Sequence, residues 1–358
     1  MRVGIAGFPG SGKTTIFNTL TGQHADVGGF TEPGKVHLGA IKVPDERVDR
    51  LSRIFNPRKT TYAEIIFVDF PAARPASSAA QGRGNGTAAL DTGTVAQLRE
   101  TDALVHVVRA FPNAVTAEPA HALRDLENFK SELLLADLVL IEKRLDRLKK
   151  ERGREQERAL LERCKALLDA ERPLRQLTLT AEEAAALAGF GFLSRRPLMV
   201  LLNVSETEVR ADMPPAVAAW LEAEEVEGLV LSGKIEMEIA GLDPADRQAF
   251  LEDLGLEAPA RQRFIRAAYR LLDQISFLTS GEDEVRAWTI RRGTTAVKAA
   301  GKVHSDIERG FIRAEVVHYD DFIHYGSEAK CREAGKLRLE GKEYVVQDGD
   351  IIHFRFNV

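Results

Sequence analysis

Residues Gly7-Phe8-Pro9-Gly10-Ser11-Gly12-Lys13-Thr14 fit the pattern G-x-x-x-x-G-K-[ST]. Holding a triphosphate needs each part of it. Glycines let the backbone curl until successive N–H groups point inward at phosphate oxygens. A helix starting near Lys13 adds the positive end of its dipole. In this reading Lys13 reaches the β and γ phosphates and the Thr14 hydroxyl ligates Mg²⁺. Gly10, Ser11, Gly12 and Thr15 complete the phosphate-binding set. Asp69 ends the apolar run Ile65 to Val68. That is the expected place for the acidic residue that holds Mg²⁺, often through water.

Two later segments follow apolar runs in the same way. Asn203-Val204-Ser205-Glu206 comes first, then Ser232-Gly233-Lys234. In that order they resemble the base-reading segments of GTPase-type P-loop proteins. The first usually reads Asn-Lys-x-Asp, and its Asp accepts hydrogen bonds from guanine N1–H and the 2-amino group. Adenine has neither donor on that edge. Here Val204 stands for the Lys and the longer Glu206 for the Asp. The residues alone leave the choice between ATP and GTP open.

These residues need elements to hold them. Residues 2–6, 64–69, 103–108, 198–202 and 228–232 are short continuous apolar runs, and 13–20 reads as a helix. Such runs alternating with helical patterns are the signature of a parallel sheet covered on both faces. Residues 72–97 are rich in small residues and read as a long loop, of the kind that is functional or mobile. From 128 to about 188, Leu134, Leu138, Ile141, Leu145 and Leu148 alternate spacings of four and three; Leu161, Cys164 and Leu168 continue them. This predicts an antiparallel helical hairpin, turning near Gly153, whose seam packs on itself or docks a partner. Strand-like runs at 285–290, 313–317, 344–346 and 351–356 predict a small α+β domain at the C-terminus.

The 358 residues suit two or three domains. Hydrophobic residues make up 44% and the net charge is −5, which excludes global disorder and a chain-wide basic coat for nucleic acid. Cys164 and Cys331 lie far apart, against a disulfide framework or a zinc site. No apolar run approaches the ~18 residues of a membrane span. Together with the lack of a signal peptide, this reads as a cytoplasmic chain without a membrane partner.

The chain resembles the YchF family, also called Obg-like ATPases, over nearly its full length. The resemblance is carried by the P-loop, Val43-Pro44-Asp45-Glu46-Arg47, Arg99-Glu100-Thr101-Asp102-Ala103 and the two base-reading segments. It is densest in residues 285–294, 310–316 and 346–358. It implies an α/β P-loop G domain at 1–127 and 195–279, an inserted helical coiled coil at 128–194, and a TGS domain at 280–358. It implies ATP hydrolysis in preference to GTP, ribosome association and a role in translation or stress control. A monomer is expected.

Several positions depart from the family pattern. Gly10 replaces an Asn that helps hold potassium in related GTPases. The Asp-x-Ala-Gly after the Mg²⁺ strand is Asp69-Phe70-Pro71-Ala72, where Ala72 still offers a backbone N–H to the γ-phosphate. Thr31, in Phe30-Thr31-Glu32-Pro33 among Gly28, Gly29 and Gly34, best matches the family's switch threonine, a second hydroxyl on Mg²⁺; a simple turn is the other reading. The loop 72–97 has no His, and Gln81, Arg83 and Asn85 are its polar candidates for positioning water. The water-positioning residue is therefore unassigned, and slow intrinsic hydrolysis follows, aided by a partner.

Residues 281–358 hold 13 Lys+Arg and 14 Asp+Glu, so ribosomal RNA would be met by local groups such as Arg291, Arg292, Lys298, Lys302 and Arg313. Trp288, Phe311, Tyr319 and Phe322 read mainly as core, with base stacking as the alternative. Two other functions stay open: a nucleotide-gated ribosome- or RNA-binding module with negligible hydrolysis, and a P-loop small-molecule kinase. The paired base-reading segments and the C-terminal domain weigh against the kinase.

Overall fold

The computed structural model describes residues 1–23, 36–70, 90, 92–112, 119–256 and 258–357. Within them the strands are β1 (Arg2–Ala6), β2 (His37–Lys42), β3 (Lys59–Thr61), β4 (Glu64–Asp69), β5 (Ala103–Arg109) and β6 (Leu198–Asn203). After these come β7 (Glu227–Leu231), β8 (Gln274–Thr279), β9 (Glu284–Arg291), β10 (Phe311–His318), β11 (Arg338–Glu340) and β12 (Asp350–Phe356). They build two six-stranded sheets. Met1–Ala40 with Ile66–Phe264 forms one compact unit, and Ile41–Ile65 with Ile265–Val358 forms another.

The first sheet has the order β2-β4-β1-β5-β6-β7. β1 runs parallel to β4 and β5, β5 to β6, and β6 to β7. Every residue of β5 and β6 is buried, which is why these strands read as mainly apolar runs without alternation. The parallel register carries the functional positions to one edge. Ile5 pairs with Asp69, Ala6 with His106, and Asn203 with Leu231. The loop Gly7–Gly12, Asp69, Asn203 and Ser232 thus all lie at carboxyl ends of strands, where open α/β sheets form their ligand crevice.

The helix Ala122–Leu148 starts earlier than expected and pairs with the helix Glu155–Asp169. The predicted seam residues Leu134, Ile141, Leu148, Leu161, Cys164 and Leu168 are all buried in one cluster. Gly153 sits in the turn with φ +75°, a left-handed conformation. At the root of the hairpin the Asp137 carboxylate is fully buried. It accepts from the backbone N–H groups of Leu193 (2.9 Å) and Ser194 (2.7 Å) and pairs with Arg99 at 3.1 Å. Arg99 also donates to the carbonyls of Ala136 and Gly191. The Arg-Glu-Thr-Asp segment is thereby a staple for the helical insertion.

The second sheet has the order β11-β10-β12-β8-β9-β3. β8 lies upstream of the 279/280 boundary expected from sequence, yet it pairs antiparallel with β9 and parallel with β12. Residues 41–65, expected in the first domain, belong to this unit: β3 runs parallel to β9, and the Thr61 hydroxyl donates to Glu284 at 2.6 Å. Arg47 bonds Asp45 (2.8 Å) and Asp348 (3.0 Å), and Phe55 stacks on Phe322 with centroids 5.6 Å apart. Glu284, Asp348 and Phe322 are hundreds of residues from their partners in sequence, beyond the reach of local periodicity.

Two local expectations are corrected. Residues 344–346 form no strand; Val345 makes a single bridge to Thr295, because the turn is held by Asp350, which accepts from Gln347 N and Tyr344 Oη. The end of the expected 72–97 loop is a helix, Thr92–Leu98, with Leu98 buried. Phe311 and Phe322 are core, as read; Trp288 is half-buried, stacked on Phe277 and covered by the Arg286 guanidinium at 3.8 Å. Both cysteines are buried free thiols. No helix among the described residues is long and apolar enough to cross a membrane.

Candidate nucleotide-binding site

β1 delivers the chain into a loop that only glycine can form. Gly7, Gly10 and Gly12 have φ of +149°, +75° and +90°. A Cβ on Gly7 would collide with the Val107 carbonyl, and one on Gly12 with the Asn203 amide. The helix Lys13–Thr21 follows with no side-chain cap on its N-terminus and no acidic residue in its first turn. Its free N–H groups and dipole are therefore available to an anion.

The Lys13 ammonium donates to the carbonyls of Gly7 (2.8 Å) and Phe8 (3.0 Å). Burial pulls its pKa down to about 8, against the opposing pull of Asp69. The Thr14 hydroxyl donates to Asp69 Oδ2 at 3.0 Å. Asp69 is 1% exposed and burial raises its pKa, with the Thr14 bond and Lys13 acting the other way. Its Oδ1 makes no hydrogen bond among the described residues. Thr15 lies half-buried, and its methyl would touch a Cβ placed on Gly233.

Asn203 joins three segments. Its Nδ2 donates to the Ser11 carbonyl and its Oδ1 accepts from Gly233 N, each at 2.9 Å. These two bonds brace the phosphate loop against the segment after β7 and leave one N–H and one lone pair of the amide unused by them. Val204 is buried in the sheet core, and its N–H donates to the Leu231 carbonyl. Glu206 and Lys234 face each other as an ion pair. Ser11 and Ser232 are buried with hydroxyls that make no hydrogen bond among the described residues. Thr31 and Ala72 lie outside the described residues, as do Gly28, Gly29, Gly34, Gln81, Arg83 and Asn85.

Two histidines escaped the sequence reading. His37 opens β2, and its Nδ1 lies 3.5 Å from Asp69 Oδ2; nothing local marks it. His106 is fully buried and stacks on Phe129 with centroids 3.9 Å apart, its edge toward Phe8 of the loop. Burial and Lys13 hold it neutral, with a pKa near 3. Its signal was visible: it is the one polar residue within the apolar run Ala103–Val108.

Known proteins align with this architecture along its length. Residues 2–144 match the family described as 50S ribosome-binding GTPase, and residues 274–357 match YchF-GTPase_C, described as a protein of unknown function. Ribosome-binding ATPase YchF of Bacillus subtilis (strain 168) is 37% identical, with 100% of both chains covered. Its counterpart in Haemophilus ducreyi is 40% identical over 100% of this chain and 99% of the relative. The chain belongs to the YchF family. A solved YchF structure from Schizosaccharomyces pombe superposes with a TM-score of 0.84 at 30% identity, covering 99% of this chain and 97% of that one. The α/β P-loop fold of the YchF family is therefore the fold of this chain. The bacterial YchF relatives are called ATPases and the S. pombe YchF a GTPase, so the relatives differ over the base.

Proposed function

We propose that this YchF-family chain binds a nucleoside triphosphate at residues 7–15, hydrolyses it slowly with ATP preferred over GTP, and works on the ribosome in the cytoplasm, in translation or stress control. The observation that carries this is the uncapped helix N-terminus at Gly12 beneath Lys13, with Thr14 and Asp69 in hydrogen-bond contact beside it. The ribosomal part rests on bacterial relatives named for ribosome binding. The helical segment 128–194 and the TGS-like segment from 280 are the candidate contact surfaces. Arg291 and Lys302 stay exposed there, while Arg292, Lys298 and Arg313 are paired with Asp273, Glu308 and Glu315.

In the mechanism, the N–H groups of Gly10 to Thr15 bind the phosphates. Lys13 exchanges the carbonyls of Gly7 and Phe8 for β- and γ-phosphate oxygens, whose charge holds its proton in place. Thr14 and Asp69 fit a magnesium ion: a hydroxyl and a buried carboxylate adjoin, and Asp69 Oδ1 makes no hydrogen bond among the described residues. Bound there, Mg²⁺ would neutralise charge developing on the phosphates. Thr31 and the Ala72 N–H are proposed to complete the γ-phosphate side. Water attacks the γ-phosphorus, the bond to the bridging oxygen breaks, and the proton leaves with the phosphate product. With no Gln after Ala72, the sequence supplies no evident group to orient that water.

The same lack supports a second reading, a nucleotide-gated module with negligible turnover. Equilibrium binding of non-hydrolysable ATP and GTP analogues by wild-type and Lys13→Ala protein tests the site. Turnover with and without ribosomes separates the switch from the module: hydrolysis that ribosomes leave at background level supports the module.

A further inference from the structure

We propose that His37 is a positioning residue for the metal carboxylate, holding one oxygen of Asp69 so that the other is kept for the cation. The inference rests on the reading of Thr14 and Asp69 as the magnesium site.

His37 opens β2, which stands at one end of the first sheet's order beside β4, the strand that ends in Asp69. Its place is set by close packing on the helix that carries Lys13 and Thr14. A Cβ on Gly39 would collide with the Thr21 side chain and crowd Phe17, so β2 lies close against that helix. His37 is two residues from Gly39 and shares its strand face. The imidazole accordingly lies against the fully buried Phe17 ring, with centroids 6.1 Å apart. Just past the helix, Gln23 Nε2 donates to the Leu38 carbonyl at 3.0 Å, a second tie between helix and strand.

The two oxygens of Asp69 meet different surroundings. Oδ2 faces groups from two separate elements, the Thr14 hydroxyl at 3.0 Å and His37 Nδ1 at 3.5 Å. Oδ1 is buried and makes no hydrogen bond among the described residues. An ionised carboxylate only accepts, so Nδ1 carries the hydrogen in this contact. Thr14 gives its hydrogen to Oδ2 and keeps its oxygen lone pairs for a cation. Lys13 is turned to the carbonyls of Gly7 and Phe8, so it does not supply the second hold. A carboxylate held by one donor can swing about that bond. A second donor on the same oxygen, from another element, stops the swing and leaves Oδ1 and the Thr14 oxygen ready to ligate. The Asp69 and His37 side chains are 2% and 20% exposed, so little water competes for the contact. Metal-binding carboxylates owe their orientation to such outer partners, and losing one typically costs about 10–100-fold in metal affinity.

The test titrates Mg²⁺ into the complex of the full chain with a fluorescent non-hydrolysable ATP analogue, and measures analogue binding without metal alongside. His37→Phe keeps a ring against Phe17 and removes the N–H. It should weaken Mg²⁺ binding by about tenfold and leave metal-free analogue binding unchanged. His37→Asn places an amide N–H at the same reach as Nδ1 and should restore most of the Mg²⁺ affinity. Asp69→Asn, the control on the metal reading, should lose more than His37→Phe. Undiminished Mg²⁺ affinity in His37→Phe, no rescue by His37→Asn, or an equal fall with and without metal, the mark of a packing role, overturns the proposal. Undiminished Mg²⁺ affinity in Asp69→Asn, or wild-type analogue binding that Mg²⁺ does not change, overturns the magnesium reading and the positioning role with it. Wild type that binds no analogue overturns the triphosphate site and both inferences built on it.

Discussion

At the residue scale the site trades stability for charge. Lys13 is buried against backbone carbonyls with its pKa lowered from 10.5 to about 8. Its folded pKa is below its unfolded one, so the unfolded chain binds more protons between those values. Stability of the nucleotide-free protein therefore rises with pH from 8 to 10.5 and is lowest, from this group, below pH 8. The shift corresponds to about 3 kcal/mol. Lys13→Met should raise the melting temperature at pH 7, lose that advantage as pH approaches 10.5, and weaken triphosphate binding by at least about a hundredfold. Differential scanning fluorimetry across pH, with analogue titration, checks both signs. Gly12→Ala should act oppositely on the scaffold. A Cβ at φ +90° meets the Asn203 amide, so about 1–3 kcal/mol of strain breaks the tie between loop and base segments. Calorimetry should show lowered stability together with lowered nucleotide affinity. These residues were legible because the P-loop packs its chemistry into eight consecutive positions. His37 was not, because it meets Asp69 across strands.

At the element scale the helical hairpin is attached by one buried carboxylate. Asp137→Leu would leave the N–H groups of Leu193 and Ser194 without their acceptor and strand the Arg99 charge. A cost of about 3–5 kcal/mol is expected, read as early unfolding of residues 122–194 in hydrogen exchange. Arg144→Ala, which removes pairs to Glu151 and Glu157 on the hairpin surface, should destabilise far less than Asp137→Leu, read as a smaller fall in melting temperature. The seam itself was readable from apolar spacing, since a helix buries every third or fourth residue. Its anchor was not readable. Asp137 looks like one more solvated acid on a charged helix until the fold places the backbone at 193–194 over it.

At the scale of the whole molecule, the chain order is not the order of the units. Residues 41–65 sit between the sequence positions of Thr31 and Asp69, yet they pack with the C-terminal sheet. Arg47 is central to that attachment. Its guanidinium binds Asp45 and Asp348, both carboxylates holding it well protonated, and Asp348 Oδ1 also accepts from Ser276 N at 2.8 Å. Arg47→Ala should cost about 2–4 kcal/mol in the second unit. Hydrogen exchange should then rise in helix Glu46–Phe55 and in β3, where β9 is the pairing partner. Unchanged protection in both would show that strand pairing alone holds the segment.

The α/β class, the glycine-rich phosphate-loop pattern, the acid that ends β4 and the helical seam were all legible in the chain before folding. Each is written in local spacing, where the period of the backbone dictates which side chains align. Only the folded chain shows that the Asn203 amide bonds Ser11 and Gly233, that Glu206 and Lys234 meet, that Asp137 anchors the hairpin and that residues 41–65 leave the first unit. Those outcomes depend on pairings between segments far apart in the chain, and no local period encodes which distant partner will satisfy a buried charge or an open strand edge.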